Sequence, residues 1–308
     1  VGCGDVGLRI VARLRDRFRI FGTIAHAERA AALRAAGAIP LLLDLDAGPA
    51  AALGRSAAAP ARIAGLAARI IVLAPTSPQG RQDRRAPRLL RRLSMGGTGG
   101  AGSALPEHAR LVYISTTGVY GNRGGAWTDE TTPPRPANER AQRRLDAEQV
   151  LRFCSRHAAV LRVPGIYAGD RLPLDRLRSG IPVPRAAEDV FTNHIHAEDL
   201  ARACIAALYR AAPARLYNTI DDTQMQLGEY LDAVADHAGL ARPPRAAWEQ
   251  MRAAAGPQRM SFLAESRRVR NVRMKRELRL RLHYPDIRAG LAAARRSAQA
   301  SNKPSTDK

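Results

Sequence analysis

An α/β fold built on a doubly wound parallel sheet is what this sequence predicts, and three observations predict it. The chain opens on Gly2-x-Gly4-x-x-Gly7, which runs straight into apolar residues at Val6, Ile10, Val11, Leu14 and Phe18, spaced for one face of a helix. Short strands and helices then alternate along the first half. The strands read as continuous apolar runs, the pattern of a parallel sheet covered on both faces. Together these describe a Rossmann-type sheet, with a smaller C-terminal lobe to follow.

Taken in order, the glycines come first, and each has its own task. One makes the tight strand-to-helix turn, one lets a pyrophosphate approach the backbone, and one lets the helix pack on the sheet. The helix start then offers free amides and a positive dipole end. Only Val1 precedes Gly2, so almost all of the first strand falls outside the sequence. That strand is central in a doubly wound sheet. Each buried backbone group left without a partner would cost roughly 1–3 kcal/mol, against a total stability of about 5–15 kcal/mol. Several further residues are therefore expected ahead of Val1 in the native protein.

A β-type run at 19–25 leads into an Ala-rich helix over 28–36, which Gly37 ends. A strand follows at 39–46, then a second Ala-rich helix, then a strand at 69–75. The end of the second strand decides the nucleotide. An acid there would hydrogen-bond the ribose 2′-hydroxyl of NAD, but the chain reads Thr23-Ile24-Ala25-His26-Ala27-Glu28-Arg29. His26 and Arg29 can instead face a 2′-phosphate, so the reading leans to NADP over NAD. Two alternatives stay open: Arg29 as a solvated helix residue, and Glu28 swinging in. Asp44 stands either near the adenine or as a cap on the next helix.

The formal charge of +21 invites a nucleic-acid reading. All but three of the 49 basic residues are arginine, however, and they are spread along an Ala-rich chain with only 5% aromatics. That looks like solvated helix faces rather than a patch for nucleic acid. Three cysteines without metal spacing fit a reduced cytoplasm. No apolar run is long enough to span a bilayer, and no signal peptide is visible. Residues 95–103, Met-Gly-Gly-Thr-Gly-Gly-Ala-Gly-Ser, read as a flexible connector. Residues 1–162 are expected to form the nucleotide-binding domain and 163–293 the rest of the sheet plus a substrate lobe. A disordered tail is expected over 294–308.

In the middle of the chain the run 110–121 reads as a strand ending in the hydroxyls Ser115, Thr116 and Thr117, followed by a Gly-rich loop. Ligands bind outside the carboxyl ends of such strands. Farther on, 216–220 reads as a short strand, and Leu227–Ala238 as an amphipathic helix ended by Gly239. Arg267–Arg281 is so basic that it is expected to be largely solvated.

Several motifs recur in one order: Gly2-Cys3-Gly4-Asp5-Val6-Gly7, Leu43-Asp44-Leu45-Asp46 and Ile114-Ser115-Thr116-Thr117-Gly118-Val119-Tyr120-Gly121. Asp129-Glu130-Thr131 and Leu161-Arg162-Val163-Pro164-Gly165-Ile166-Tyr167 follow, then 193–201, Tyr217-Asn218, 266–271 and 275–278. In these the chain resembles the extended or atypical short-chain dehydrogenase/reductase family, which includes NAD-dependent epimerases/dehydratases and nucleoside-diphosphate-sugar epimerases. The resemblance implies hydride transfer between a nicotinamide and a substrate carbon bearing a hydroxyl. It places cofactor contacts at Gly2, Gly4, Asp5, Val6 and Gly7, and at His26 and Arg29. Further contacts fall at Asp44 and Leu45, at Leu73, Ala74 and Pro75, and at Pro164 and Ile166.

For the chemistry, the resemblance implies a Ser/Thr on the substrate oxygen, which is Thr116, and a Tyr base assisted by a Lys. The chain departs from the family there, with Arg140 where Tyr belongs and Arg144 where Lys belongs. Arginine cannot serve as a general base at ordinary pH. Arg144 is left as a ribose contact or a surface residue, and Tyr120 as a substitute acid/base. Gly165 and Thr192 replace an Asn and an Arg of the nucleotide-sugar members, which discounts that substrate class. Thr117, Tyr120, Tyr167, His194 and His196 are candidate pocket linings, His196 also reading as a structural residue at a helix start. The expectation is an NAD(P)-dependent oxidoreductase or epimerase for a small hydroxy or keto substrate. The alternative is a cofactor sensor or scaffold that has lost chemistry. A homodimer is kept open.

Overall fold

The computed structural model describes residues 1–46, 68–94, 105–251 and 265–301. In chain order the main elements are α1 (Asp5–Leu14), β1 (Phe21–Ile24), α2 (Ala30–Ala35), β2 (Ile39–Leu42), β3 (Arg69–Val72) and α3 (Arg85–Ser94). They continue as β4 (Arg110–Thr116), α4 (Glu139–Cys154), β5 (Ala158–Val163), α5 (Ala197–Arg210), β6 (Leu216–Asn218), α6 (Leu227–Ala238) and α7 (Ile287–Ser301). The expected second Ala-rich helix and the 95–103 connector lie outside the described residues.

Four parallel strands stand in the order β6-β5-β4-β3, and β1 pairs in parallel with β2. Val1–Cys3 join the two sheets. Val1 N donates to Ile71 O at 2.6 Å, Leu73 N–H to Val1 O at 2.8 Å, and Cys3 N–H to Thr23 O at 2.9 Å. The three residues thus occupy the central place the sequence assigns to the first strand.

Both faces of the sheet are covered, because alternate residues of β4 go to opposite cores. Val112 and Ile114 pack with Val6, Ile10, Leu200 and Cys204 of α1 and α5. Leu111 and Tyr113 pack with Leu89 and Leu90 of α3 and Leu151 of α4. Helix α5 and strand β6 return to this sheet late in the chain. The lobe has its own core, in which Leu177, Val183, Leu231 and Val234 meet Ile287 and Leu291 of α7.

Two expectations need correction. The tail is not free from 294: α7 runs on to Ser301, and Gly169 admits it so closely that an added methyl would lie 2.9 Å from Ala294 Cβ. Nor is Arg267–Arg281 largely solvated. Val269, Met274, Leu278 and Leu280 are buried, while Arg273 reaches the Leu216 carbonyl at 3.1 Å. Arginine stems cover apolar surface here while their heads find partners.

At the centre, the guanidinium of Arg162 (4% exposed) meets the carboxylate of Glu148 (2% exposed) at 2.7 Å, and Ser115 Oγ donates to the same carboxylate at 2.5 Å. Removing one member of a buried pair strands the other, at a cost of about 3–5 kcal/mol. Glu148→Ala is expected to lower unfolding stability by that order in a urea melt. The double variant Glu148→Leu/Arg162→Met is expected to recover most of the loss.

Candidate active site

The glycine loop divides its tasks as the sequence suggests. Gly2 has φ +76°, and a methyl on it would stand 2.6 Å from the Ala74 nitrogen, so conformation and space both demand glycine. A methyl on Gly7 would fall 2.9 Å from Cys3 Sγ and 3.3 Å from Leu73 Cδ1, which fixes how near α1 lies to the sheet. A methyl on Gly4 would meet nothing within 4 Å, so this glycine presents backbone to open space. Leu8 N–H donates to Gly4 O at 2.9 Å, and the amides of Asp5, Val6 and Gly7 therefore stand ahead of the first intrahelical bond. The Asp5 carboxylate is drawn aside, accepting from Arg9 Nε at 3.1 Å and Arg171 Nη1 at 2.8 Å. These residues fit a diphosphate, which needs bare amides, a positive helix end and no opposing charge.

Around this cradle the other sequence-chosen residues divide. His26, Glu28 and Arg29 are all exposed just past the end of β1. Asp44 is exposed and accepts from its own turn, Asp46 N–H, at 2.7 Å. Leu45 packs against the α3 core and Ile166 against the α1/α5 core. Leu73 and Ala74 floor the glycine turn, and the Pro75 carbonyl accepts from Arg85 at 3.1 Å.

Beyond the end of β4 lies a cleft of about 290 Å³. Thr116, Thr117 and Gly118 line one side, and Asn138, Arg140 and Ala141, at the start of α4, line another. Pro164, Gly165, Thr192 and Asn193 face them, with Glu265 and Arg267 closing the cleft. Thr116 is half-buried, and its Oγ1 accepts from Gly118 N–H at 3.1 Å. Asn138 Oδ1 caps α4 through Ala141 N–H at 2.9 Å, and its Nδ2 donates to Glu265 at 3.4 Å. Arg267 donates to Glu265 at 2.7 Å and to the Gly121 carbonyl at 3.0 Å. Asn193 pins this strap, donating to Arg267 O at 3.0 Å and accepting from Val269 N–H at 3.1 Å.

Sequence reasoning missed Asn138, Glu265 and Arg267 as site residues. Asn138 carried a signal, an N-cap residue followed by an acid in the first turn. Glu265 and Arg267 carried none, since they arrive at the cleft through contacts more than 120 residues apart.

Several expected pocket linings sit elsewhere. Tyr120 is wholly buried, donates to Asn218 Oδ1 at 2.8 Å and lies 4.6 Å beneath the Arg162 guanidinium. Burial raises its phenol pKa, so it suits a core hydroxyl and not an exchangeable base. Arg144 donates to the Ile114 carbonyl at 2.7 Å and to Tyr113 Oη at 3.1 Å, bracing β4 from behind the cleft. His196 caps α5, its Nδ1 accepting from Glu198 N–H at 3.2 Å, and stacks on Tyr284 at 3.7 Å. That is the structural role the sequence offered for it. Tyr167 is buried, with its hydroxyl on the Asp286 carbonyl.

The profile of the family described as RmlD substrate binding domain matches residues 101–284. Among solved structures, a functionally unknown conserved protein from Silicibacter pomeroyi is 29% identical over 96% of each chain, with a TM-score of 0.78. A protein from Methylobacillus flagellatus described as an NAD-dependent epimerase/dehydratase is 25% identical over 97% of each chain, at 0.65. The UDP-glucose 4-epimerase of Thermotoga maritima, solved with UDP-glucose, is 15% identical over 98% of each chain, at 0.72, and shares the fold. No curated protein matches the sequence.

Behind the cleft lie two buried ionisable groups with an unpartnered atom each, His194 Nδ1 and Asp221 Oδ2. Burial pushes the Asp221 carboxyl up to about 8 and the His194 imidazole down to about 3. An acid whose pKa is raised on folding holds its proton in the native state while the unfolded chain has lost it. Its contribution therefore declines as pH climbs from about 4 to about 8. His194 acts at the other end, because the unfolded chain gains a proton below about 6.5 that the native state refuses. Asp221→Asn is expected to raise the melting temperature relative to the wild type at pH 8 and to leave it unchanged near pH 4. A difference independent of pH would contradict this.

Proposed function

The chain belongs to the RmlD substrate binding domain family, an extended short-chain dehydrogenase/reductase family, and from that membership we propose an NAD(P)-dependent oxidoreductase or epimerase. Its substrate in this reading is a small hydroxy or keto compound. The observation that carries the reading is that the glycine cradle follows Val1–Cys3 on one side of β3 while Thr116 ends β4 on the other side.

In this reading the amides of Asp5, Val6 and Gly7 hold the diphosphate, with Leu73 and Ala74 keeping the turn in shape. His26 and Arg29 meet a 2′-phosphate, which is why the preference falls on NADP. Pro164 closes the cleft beside Gly165. The nicotinamide, when bound, supplies a hydride acceptor or donor. Thr116 holds the substrate oxygen through its hydroxyl.

The usual proton carrier is replaced by Arg140, which cannot act as a base. Among the described residues that line the cleft, Glu265 alone is of a type that serves as general acid or base. We assign it the proton. Its contact with Asn138 fixes the carboxylate toward the start of α4, and Arg267 fixes it from the other side.

A second reading, a cofactor sensor without turnover, is favoured by Arg140 and Arg144 standing at the Tyr and Lys positions. A panel of carbonyl compounds tested for NADPH oxidation separates the two. Turnover that Thr116→Ala reduces by about 10²-fold or more, with NADPH affinity kept, is the expected outcome. Tight NADPH binding with no turnover across the panel would favour the sensor. The same titration with NADH tests the nucleotide preference, since tighter NADH binding would overturn the lean to NADP.

A further inference from the structure

At Gly165 the wall of the cleft carries no side chain, and a buried imidazole stands behind it. Residues Gly165–Tyr167 pair in parallel with His194–His196, with His194 opposite Gly165. Gly165 is exposed and lines the cleft. A methyl on it would stand 3.5 Å from His194 Cδ2, 3.6 Å from the Asn193 carbonyl oxygen and 4.0 Å from His194 Nε2, all ordinary van der Waals separations. The Cδ2–Nε2 edge of the ring therefore faces the space that a side chain at 165 would fill. The rest of the ring is closed in. His194 is 4% exposed, lies edge-on to Tyr167 at 6.3 Å and is tilted over Tyr230 at 4.0 Å. Its Nδ1 has no hydrogen-bond partner among the described residues, and burying a nitrogen in that state is unfavourable. Burial also keeps the imidazole neutral, so one ring nitrogen carries a proton and the other a lone pair. The Nε2 on the Gly165 side is the atom through which this ring can bind a ligand.

We infer that His194 is a specificity-determining residue of this cleft, and that its Nε2 meets a hydroxyl of the substrate that enters at Gly165. The inference rests on reading this cleft as the substrate end of the cofactor groove. A hydroxyl both donates and accepts, so it answers either tautomer of the neutral ring. A carboxylate only accepts and an ammonium only donates, so each answers one. Thr116 is the register partner of Val163, two residues before Gly165. The oxygen held by Thr116 and the hydroxyl met by His194 therefore belong to one short molecule. The substrate narrows from a hydroxy or keto compound to a small polyhydroxy one, with a free hydroxyl a few carbons from the reacting carbon.

Saturation-transfer NMR titrations of the NADPH-bound full chain test this with glycerol, erythritol and xylitol. Each is paired with the diol that lacks its inner hydroxyls: propane-1,3-diol, butane-1,4-diol and pentane-1,5-diol. At least one polyol is expected to bind about fivefold or more tightly than its diol. Gly165→Ala fills the gap with a methyl that its surroundings accept, and is expected to bring that ratio near one. His194→Phe keeps a ring over Tyr230 without a polar atom. It is expected to do the same with thermal stability kept or raised, since an unpartnered buried nitrogen is removed. A His194 that serves packing alone would leave the ratio unmoved in both variants. No preference for any polyol in the wild type, or a preference that survives in either folded variant, would overturn the proposal. Should His194→Phe not fold, Gly165→Ala decides alone. Failure of the wild type to bind NADPH would sink the oxidoreductase reading and this inference with it. NADPH binding with equal affinities for polyols and diols would sink only this one.

Discussion

The whole arrangement depends on how closely two pieces of backbone approach each other at Gly2. Its α-carbon faces the Ala74 nitrogen at a distance no side chain could share, and its φ of +76° is one that only glycine adopts freely. That approach lets the chain turn from the sheet centre directly into α1. Gly7 then sets α1 against Cys3 and Leu73, and Gly4 is left facing outward. Three glycines thus perform three physically different tasks within six residues. Of the three, only Gly4 would hold a methyl in open space.

Other parts of the molecule hold this cradle in place. Arg9 on α1 joins Asp5, Asp170 and Glu198, tying the glycine loop to the turn after Tyr167 and to the start of α5. Arg13 shares Glu198 at 2.6 Å, and Arg171 reaches back to Asp5. Exposed pairs of this kind contribute little singly, but the network draws the one carboxylate near the helix start toward cations. At the far end of the groove, Asn193 fastens the strap that carries Glu265 and Arg267. Backbone bonds hold the same strap, with Arg123 N–H donating to Ser266 O at 2.9 Å and Arg268 N–H to Ala126 O at 3.1 Å.

Much of this was legible in the sequence because it follows local rules. Spacing of Val6, Ile10 and Val11 foretold the buried face of α1, and Gly239 closes α6 with φ +65° where a glycine stop was expected. Residues whose placement depends on long-range packing were not legible. Tyr120 and Thr116 are four positions apart, yet one enters a buried network with Asn218 while the other reaches the cleft, because the 3-10 turn over Thr117–Tyr120 carries the ring back beneath Arg162. The basic stretch 267–281 hid its apolar residues at 269, 274, 278 and 280 among arginines, so charge count concealed burial. Glu265 had no local signature at all.

The central claim is that the outward-facing glycine marks where a pyridine nucleotide's diphosphate rests, and Gly4→Val addresses it most directly. A side chain there meets no protein atom near its Cβ, so the fold should survive, with about 1 kcal/mol lost at the helix cap. Fluorescence titration of NADPH and NADH into the wild type and this variant is the measurement. The account predicts saturable binding by the wild type and a loss of at least a hundredfold in the folded variant. Equal affinity in the two proteins, or no binding of either nucleotide to the wild type, would contradict it.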